Sequence, residues 1–308
     1  MTTNFTNNNH LSYSIGNQEF GYRSNGFEKF TVKVGSIDKD HYNSSSYVRE
    51  LHRTADLVYN EFGKEMIVFL SGGTDSEIVV RNFLDIGIKP ECVAIRFKDD
   101  YNLPDILEAV EIAKELDLKL HIIDFDVKDF YYSGQAIDFG KEIQCTQVTY
   151  LMVYHNILKM GRPAVMGGEA LMTRGISPQG TNWYYTFREN EDASAMRFSL
   201  KYNLPLVNEW FSYTPELLLY YLEDVEIQKL VAEKYNYKLS SVSTKNGILR
   251  RLYPSIRPKI KTHGFERLLG FNYEAYKGIG ANQIKRLEPS LDGIPMQQIL
   301  LMLRGEHD

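Results

Sequence analysis

Met66-Ile-Val-Phe-Leu70 runs directly into Ser71-Gly-Gly-Thr-Asp-Ser76, and the rest of the chain is read outward from that junction. Five apolar residues end in a small, polar, glycine-rich hexapeptide, and Glu77-Ile-Val-Val-Arg-Asn-Phe-Leu-Asp85 then has the character of a helix. Strand, tight turn and helix in that order set the first amides of the helix, which lack intrahelical partners, against whatever occupies the turn. Gly72 and Gly73 admit backbone angles closed to other residues and let a ligand approach the main chain. Ser71 and Ser76 add hydroxyl donors. Asp75 adds a carboxylate where a phosphate-bound magnesium would take an oxygen ligand. The stretch is an anion site, and phosphate is the anion it suits.

Downstream, the pattern is regular. Cys92–Phe97 reads as a second strand, Pro104–Leu116 as a helix and Lys119–Asp124 as a third strand. Val127–Lys141 reads as irregular and aromatic. Thr149–Met160 is a helix and Pro163–Met166 a fourth short strand, followed by Gly167-Gly-Glu-Ala170. Short apolar strands alternating with amphipathic helices predict an α/β fold with a doubly wound, mainly parallel sheet. Ligands of such sheets bind beyond the carboxyl ends of the strands. The hexapeptide, Phe97-Lys-Asp-Asp100 and Asp124-Phe-Asp126 all lie at that end.

Three stretches divide the chain. Residues 1–63 hold a strand over Phe30–Val34 and a helix over Tyr47–Glu61 closed by Gly63, a segment expected to pack on the core. Residues 64–175 form the phosphate-loop core. Residues 176–308 read as a mainly helical part that closes the substrate pocket. There Thr214-Pro-Glu216 is a strong helix start, with the helix running from Leu217 to about Val231. Asn182–Phe187 is either a strand or an aromatic segment facing substrate, and Leu300–Leu303 belongs to a last helix. Lys245, Arg250, Arg251, Arg257, Lys259, Lys261 and His263 concentrate positive charge in Ser240–His263, although the chain as a whole carries −5. A basic loop of this kind either closes on phosphates or is a solvated surface.

The acidic balance leaves no general footprint for nucleic acid. No apolar run approaches a membrane span, and the polar start, Met1-Thr-Thr-Asn-Phe5, lacks a signal-peptide core, so a cytoplasmic location is expected. The two cysteines, Cys92 and Cys145, form no Cys-x-x-Cys and no Cys/His cluster, which disfavours zinc or iron–sulfur. There is no Gly-x4-Gly-Lys-[Ser/Thr] and no Gly-x-Gly-x-x-Gly after a strand, so kinase-like and dinucleotide-binding loops are disfavoured.

Ser71-Gly-Gly-Thr-Asp-Ser76 between a buried strand and a helix resembles the pyrophosphate loop of the PP-loop ATP pyrophosphatase superfamily. The order of elements is most similar to the synthetase domains of the asparagine synthetase-like members. The resemblance implies ATP and Mg2+, cleavage between the α and β phosphates, and activation of the substrate as an adenylate. Ser71, Gly72, Gly73, Thr74 and Ser76 would cradle the leaving phosphates. Asp75 would hold magnesium and support catalysis. Gly167-Gly168-Glu169 resembles a reduced form of the family's turn after the fourth strand, with Gly168 near ATP and Glu169 a second metal ligand or a group facing substrate; the family's aspartate after the glycines is missing. Late basic residues contact pyrophosphate in this superfamily, which points to Arg257, Lys259 and Lys261. From their place at strand ends, Ile95–Phe97 would offer backbone groups to adenine, and Asp99 or Asp100 would serve the metal or the ribose.

The second half-reaction is open. Attack by ammonia or an amine would form a C–N bond. No glutaminase domain is fused, since Thr2 replaces a nucleophilic cysteine and the leading segment is too short. Nitrogen would then come from free ammonia, a separate partner or an amine substrate. Sulfur transfer would have Cys145 as its one candidate thiol. A non-catalytic ATP-binding protein is the third possibility. The adenylated molecule, a small metabolite or a nucleobase, and any homo-oligomer are not encoded in a short motif.

Overall fold

The computed structural model describes residues 11–15, 18–19, 30–145, 148–168, 172–177, 180–188, 193–232, 241–257, 259, 264 and 291–306. The chain opens with three strands, β1 (Leu11–Ile15), β2 (Gln18–Glu19) and β3 (Phe30–Val34), in a small antiparallel sheet ordered β2-β1-β3. Helix α1 (Lys39–Ser44) and helix α2 (Tyr47–Phe62) follow. Ser46 Oγ accepts from Arg49 N at the start of α2, and Gly63, at φ 72°, ends it.

The core then alternates: β4 (Ile67–Phe69), α3 (Thr74–Asp85), β5 (Glu91–Phe97), α4 (Leu103–Glu115) and β6 (Leu120–Phe125). Helices α5 (Val127–Tyr132), α6 (Gln135–Ile143) and α7 (Val148–Met160) lead to β7 (Ala164–Val165). A hairpin, β8 (Met172–Ser177) and β9 (Gly180–Arg188), precedes α8 (Ser194–Tyr202) and β10 (Leu206–Val207). Helices α9 (Pro215–Glu223), α10 (Val225–Ala232) and α11 (Ser241–Leu252), strand β11 (Leu291–Pro295) and helix α12 (Met296–Arg304) complete it.

The central sheet is parallel and ordered β10-β7-β4-β5-β6. The order reverses between β4 and β7, so the crevice of a doubly wound sheet opens there. Strand periodicity sorts the core onto two faces. Val68, Leu70, Cys92, Ala94, Val165 and Val207 join one cluster with Ala55, Phe83, Ala109 and Leu218. Their alternating neighbours Ile67, Phe69, Val93, Ile95, Ala164 and Leu206 join the other, with Phe130, Phe139, Tyr154 and Phe198. Covered faces explain why these strands are apolar throughout.

The leading segment is tied to the late helices. Ile37 N donates to Leu303 O at 2.7 Å, Asp38 N donates to Glu216 Oε1 at 2.7 Å, and Tyr42 stacks on Tyr220. Among the described residues no helix is long and apolar enough to cross a membrane.

Four expectations change. Val127–Lys141 is helical, because Asp126 caps α5 by accepting from Asp129 N at 3.0 Å and Gly134, at φ 87°, separates α5 from α6. Phe130, Tyr131 and Phe139 enter the second cluster, and the two helices are each too short for a period to stand out in the sequence. The helix expected from Leu217 to about Val231 breaks at Asp224. Within the basic stretch expected as a loop, Ser241–Leu252 is helical. The part from residue 176 also carries antiparallel strands, since β9, which contains Asn182–Phe187, pairs with both β8 and β11.

His155 on α7 is half-buried against Phe125, Phe130 and Phe139, and its Nε2 has no hydrogen-bond partner among the described residues. Burial, with Lys159 adding to it, pushes its pKa down to about 4. Between that value and the ordinary 6.5 the unfolded chain binds the extra proton, so this contribution to stability is complete above 6.5 and is lost as pH falls toward 4. His155→Phe is expected to flatten the melting temperature over that pH range. An unchanged acid limb would assign the effect to other groups.

Candidate functional site

The hexapeptide lies at the carboxyl end of β4, at the crevice. Leu70 N donates to Val93 O at 2.9 Å and holds the strand end in register. The loop then laces itself. Ser71 N donates to Ser76 Oγ at 3.1 Å, the two hydroxyls are 3.2 Å apart, and Ser76 Oγ donates to Gly73 O at 3.0 Å. Ser76 is buried, so its hydroxyl shapes the loop, whereas the sequence suggested a phosphate donor. Ser71 is exposed. Gly73 is extended and caps α3 without a side chain, and Thr74, Asp75 and Ser76 form the first turn. The positive end of α3 thus faces the loop.

Glycine is required twice. Gly72 sits at φ 74°, and a Cβ there would stand 2.3 Å from Asp105 O. The loop therefore rests on the first turns of α4. Gly168 sits at φ 57°, and a Cβ there would stand 1.8 Å from Asn208 O. At its neighbour Gly167, a Cβ would stand 2.9 Å from Asp75 Cβ and 3.2 Å from Ser76 N. The turn after β7 therefore touches the first turn of α3 on one side and the turn after β10 on the other. The structure brings together Ser71–Ser76 and Gly167-Gly168, two turns expected near ATP from the sequence resemblance.

Late basic residues arrive at the same place. Arg257 ion-pairs with Glu108 at 2.9 Å and Glu111 at 2.7 Å on α4. Glu108 is itself against the loop, its Cβ 3.1 Å from a Cβ built on Gly72. Lys259 ion-pairs with Glu77, one residue beyond the hexapeptide. Both cations rest on carboxylates, at the loop's flank. Lys261 and Glu169 lie outside the described residues, as does His263.

The adenine expectation meets a competitor. Asn102 Nδ2 donates to Ile95 O at 2.8 Å, and Phe97 N donates to Asn102 Oδ1 at 2.8 Å. Asn102 thus engages two backbone groups that were assigned to the base. Asp99 and Asp100 follow at φ 64° and 57°, a left-handed turn set by the sharp path from β5 into α4. Asp124 and Asp126 at the end of β6 pair with Arg96 at 2.6 Å and Lys98 at 2.8 Å, and hydrogen bonds from those cations hold both carboxyls below their usual range.

Glu209 was not found from sequence. It lies just beyond β10, 5 % exposed, with its Cα 2.9 Å from a Cβ built on Gly168. A two-residue strand is too short for periodicity, so only the polar Asn208-Glu209 after Leu206-Val207 marked it. Among the described residues no three His, Cys, Asp or Glu side chains group as a metal centre. Magnesium carried on phosphates keeps several waters and needs only one or two carboxylates. Asp75, pressed against Gly167 at the loop, fits that demand.

Cys145 is fully buried in the second cluster. Cys92, on β5, is buried in the first cluster, and burial pushes its thiol up to about 12. Buried thiols of this kind are inert.

No protein-family model and no curated protein matches the chain. The chain is similar to the solved NMN synthetase of Francisella tularensis at 15% identity, covering 78% of this chain and 95% of that one, with a TM-score of 0.32. For the NH3-dependent NAD synthetase of Campylobacter jejuni the identity is 15%, the coverage 71% and 100%, and the TM-score 0.31. For a predicted subunit of tRNA methyltransferase from Methanocaldococcus jannaschii the identity is 16%, the coverage 63% and 92%, and the TM-score 0.31. Likenesses at these scores carry no functional weight.

Proposed function

We propose that this chain is an ATP-dependent, AMP-forming ligase that adenylates a small molecule or nucleobase, releases pyrophosphate, and forms a C–N bond by attack of ammonia or an amine. One observation carries the reading: the Ser71–Ser76 loop and the Gly167-Gly168 turn meet at the switch point of the sheet, with Asp75 between them. A loop with open main chain, at a helix start, suits a chain of phosphates. The sequence resemblance to PP-loop ATP pyrophosphatases supports α–β cleavage over γ transfer.

Each residue has a definite task in this reading. Gly72, Gly73 and Thr74 present main chain to the β and γ phosphates, and Ser71 adds a hydroxyl. Ser76 keeps the loop in shape. Asp75 holds magnesium, which neutralises charge on the departing pyrophosphate. Lys259 and Arg257 supply further positive charge at the loop. Gly168 lets the β7 turn close on the crevice beside Glu209, and Glu169, by the resemblance, would hold the metal or face the second substrate. Positioning and charge neutralisation suffice for this chemistry. Nitrogen comes from free ammonia, an amine substrate or a separate glutaminase. The sulfur-transfer alternative needs a reachable thiol, and the burial of Cys145 disfavours it. Cys145→Ser is expected to leave AMP formation unchanged; loss of activity in a folded Cys145→Ser variant would restore the thiolation reading.

The test is product analysis of α-labelled ATP with magnesium, the purified chain and a small-metabolite extract. AMP that appears only with extract is the expected result, and fractionation then leads to the substrate. ADP would overturn the reading. ATP binding with no turnover under any extract would favour the non-catalytic ATP-binding alternative.

A further inference from the structure

Three charged side chains meet behind the phosphate loop, and two of them are cations. Glu77, in the first turn of α3, takes Arg81 on Oε1, through Nε at 2.9 Å and Nη2 at 2.7 Å. Its Oε2 takes Lys259 Nζ, from a residue 182 positions further along the chain. The Lys259 and Glu77 side chains are 2 % and 3 % exposed. Arg81 has a second acid, Glu115, at 2.9 Å. Among the described residues, Glu77 is the only carboxylate at ion-pair distance from Lys259.

An ammonium removed this far from water needs compensation, and one carboxylate shared with a guanidinium supplies part of it. Arg81 is partly exposed and divides itself between Glu77 and Glu115, so the four groups balance in charge. The Lys259 ammonium, buried on Glu77, stands beside the positive end of α3 in a medium that screens little.

We infer that Glu77 is a positioning residue: it fixes Lys259 beside the first turn of α3, so that the lysine's ammonium, together with the positive end of that helix, serves the β and γ phosphates of ATP. The inference rests on the ATP reading above. Glu77 does not touch the phosphates and acts through Lys259. A lysine on a long flexible stem would otherwise spread over many rotamers and pay for ordering at each binding event. Arg257, held by Glu108 against Gly72, brackets the same loop.

A double-mutant cycle tests this, with binding of ATP and of inorganic pyrophosphate, each with magnesium, measured by calorimetry on the full chain. Glu77→Gln and Lys259→Met are each expected to weaken both ligands by about tenfold or more, and the double variant to be no weaker than Lys259→Met alone. Lys259→Arg is expected to recover part of the affinity. Additive losses in the cycle would overturn the inference. So would a Glu77→Gln protein that melts earlier yet binds both ligands like the parent, because the pair would then be only structural. A parent chain that binds neither ATP nor pyrophosphate overturns the functional reading itself, and this inference with it.

Discussion

Asp75→Ala is expected to abolish AMP formation while the chain stays folded. The carboxylate lies in the first turn of α3, against Gly167, where the two turns of the crevice meet. In the proposed reaction it holds the metal that neutralises the leaving pyrophosphate. Removing one preorganised group that stabilises transition-state charge costs about 10²–10³ in rate. The structural cost is small by comparison. An acid in a first helical turn contributes about 0.3–1 kcal/mol through the helix dipole. Asp75 is half-buried and belongs to neither hydrophobic cluster. Asp75→Asn keeps the shape without the charge and is expected to be nearly as inactive. AMP formation and thermal unfolding, measured on the same preparations, separate the two effects. Undiminished turnover in either variant would falsify the role assigned to Asp75.

Gly72→Ala is expected to be the most damaging single methyl in the loop. Gly72 and Gly134 both sit at positive φ, 74° and 87°, so both substitutions carry a left-handed penalty of about 1–2 kcal/mol. They differ in surroundings. A Cβ at Gly134 meets nothing within 4 Å, whereas at Gly72 it meets Asp105 O at 2.3 Å and Glu108 Cβ at 3.1 Å. The first neighbour is backbone at the start of α4 and cannot rotate away. Overpacking of that kind adds about 1–3 kcal/mol. Gly72→Ala should therefore lose about 3 kcal/mol where Gly134→Ala loses about 1 kcal/mol. It should also lose ATP binding, because the loop must lift off α4 to make room. Denaturant unfolding and ATP titration of the pair give the comparison. Equal destabilisation by the two substitutions would show that the loop does not rest on α4.

Several features were plain in the sequence because their causes are local. Met66–Leu70 is apolar because β4 is covered on both faces, and its alternate residues enter two different clusters. Ser71–Ser76 carries small and polar residues because the chain turns there on to a helix start. Thr214 caps α9 through a hydrogen bond from Leu217 N at 3.0 Å, and Pro215 begins the helix. Each of these is settled within a few residues of chain. Failures had local causes too. Helices α5 and α6 looked irregular because they have only six and nine residues, too few turns for a period to stand out, with Gly134 between them. Strand β10 has two residues and no period to detect.

What the sequence by itself determined was the doubly wound core, the glycine-rich loop between β4 and α3, and the presence of late basic residues without a place for them. The tertiary structure alone decided that Gly167 presses on Asp75, that Asn102 holds the backbone of Ile95 and Phe97, that Glu209 joins the crevice, and that Lys259 is buried on Glu77. The physical reason is range. Turn chemistry and periodicity express the needs of neighbours in sequence, which every residue carries with it. The contacts of the site join segments brought together only by the strand order β10-β7-β4-β5-β6. That order follows from how whole elements bury their faces, and no single stretch of residues states it.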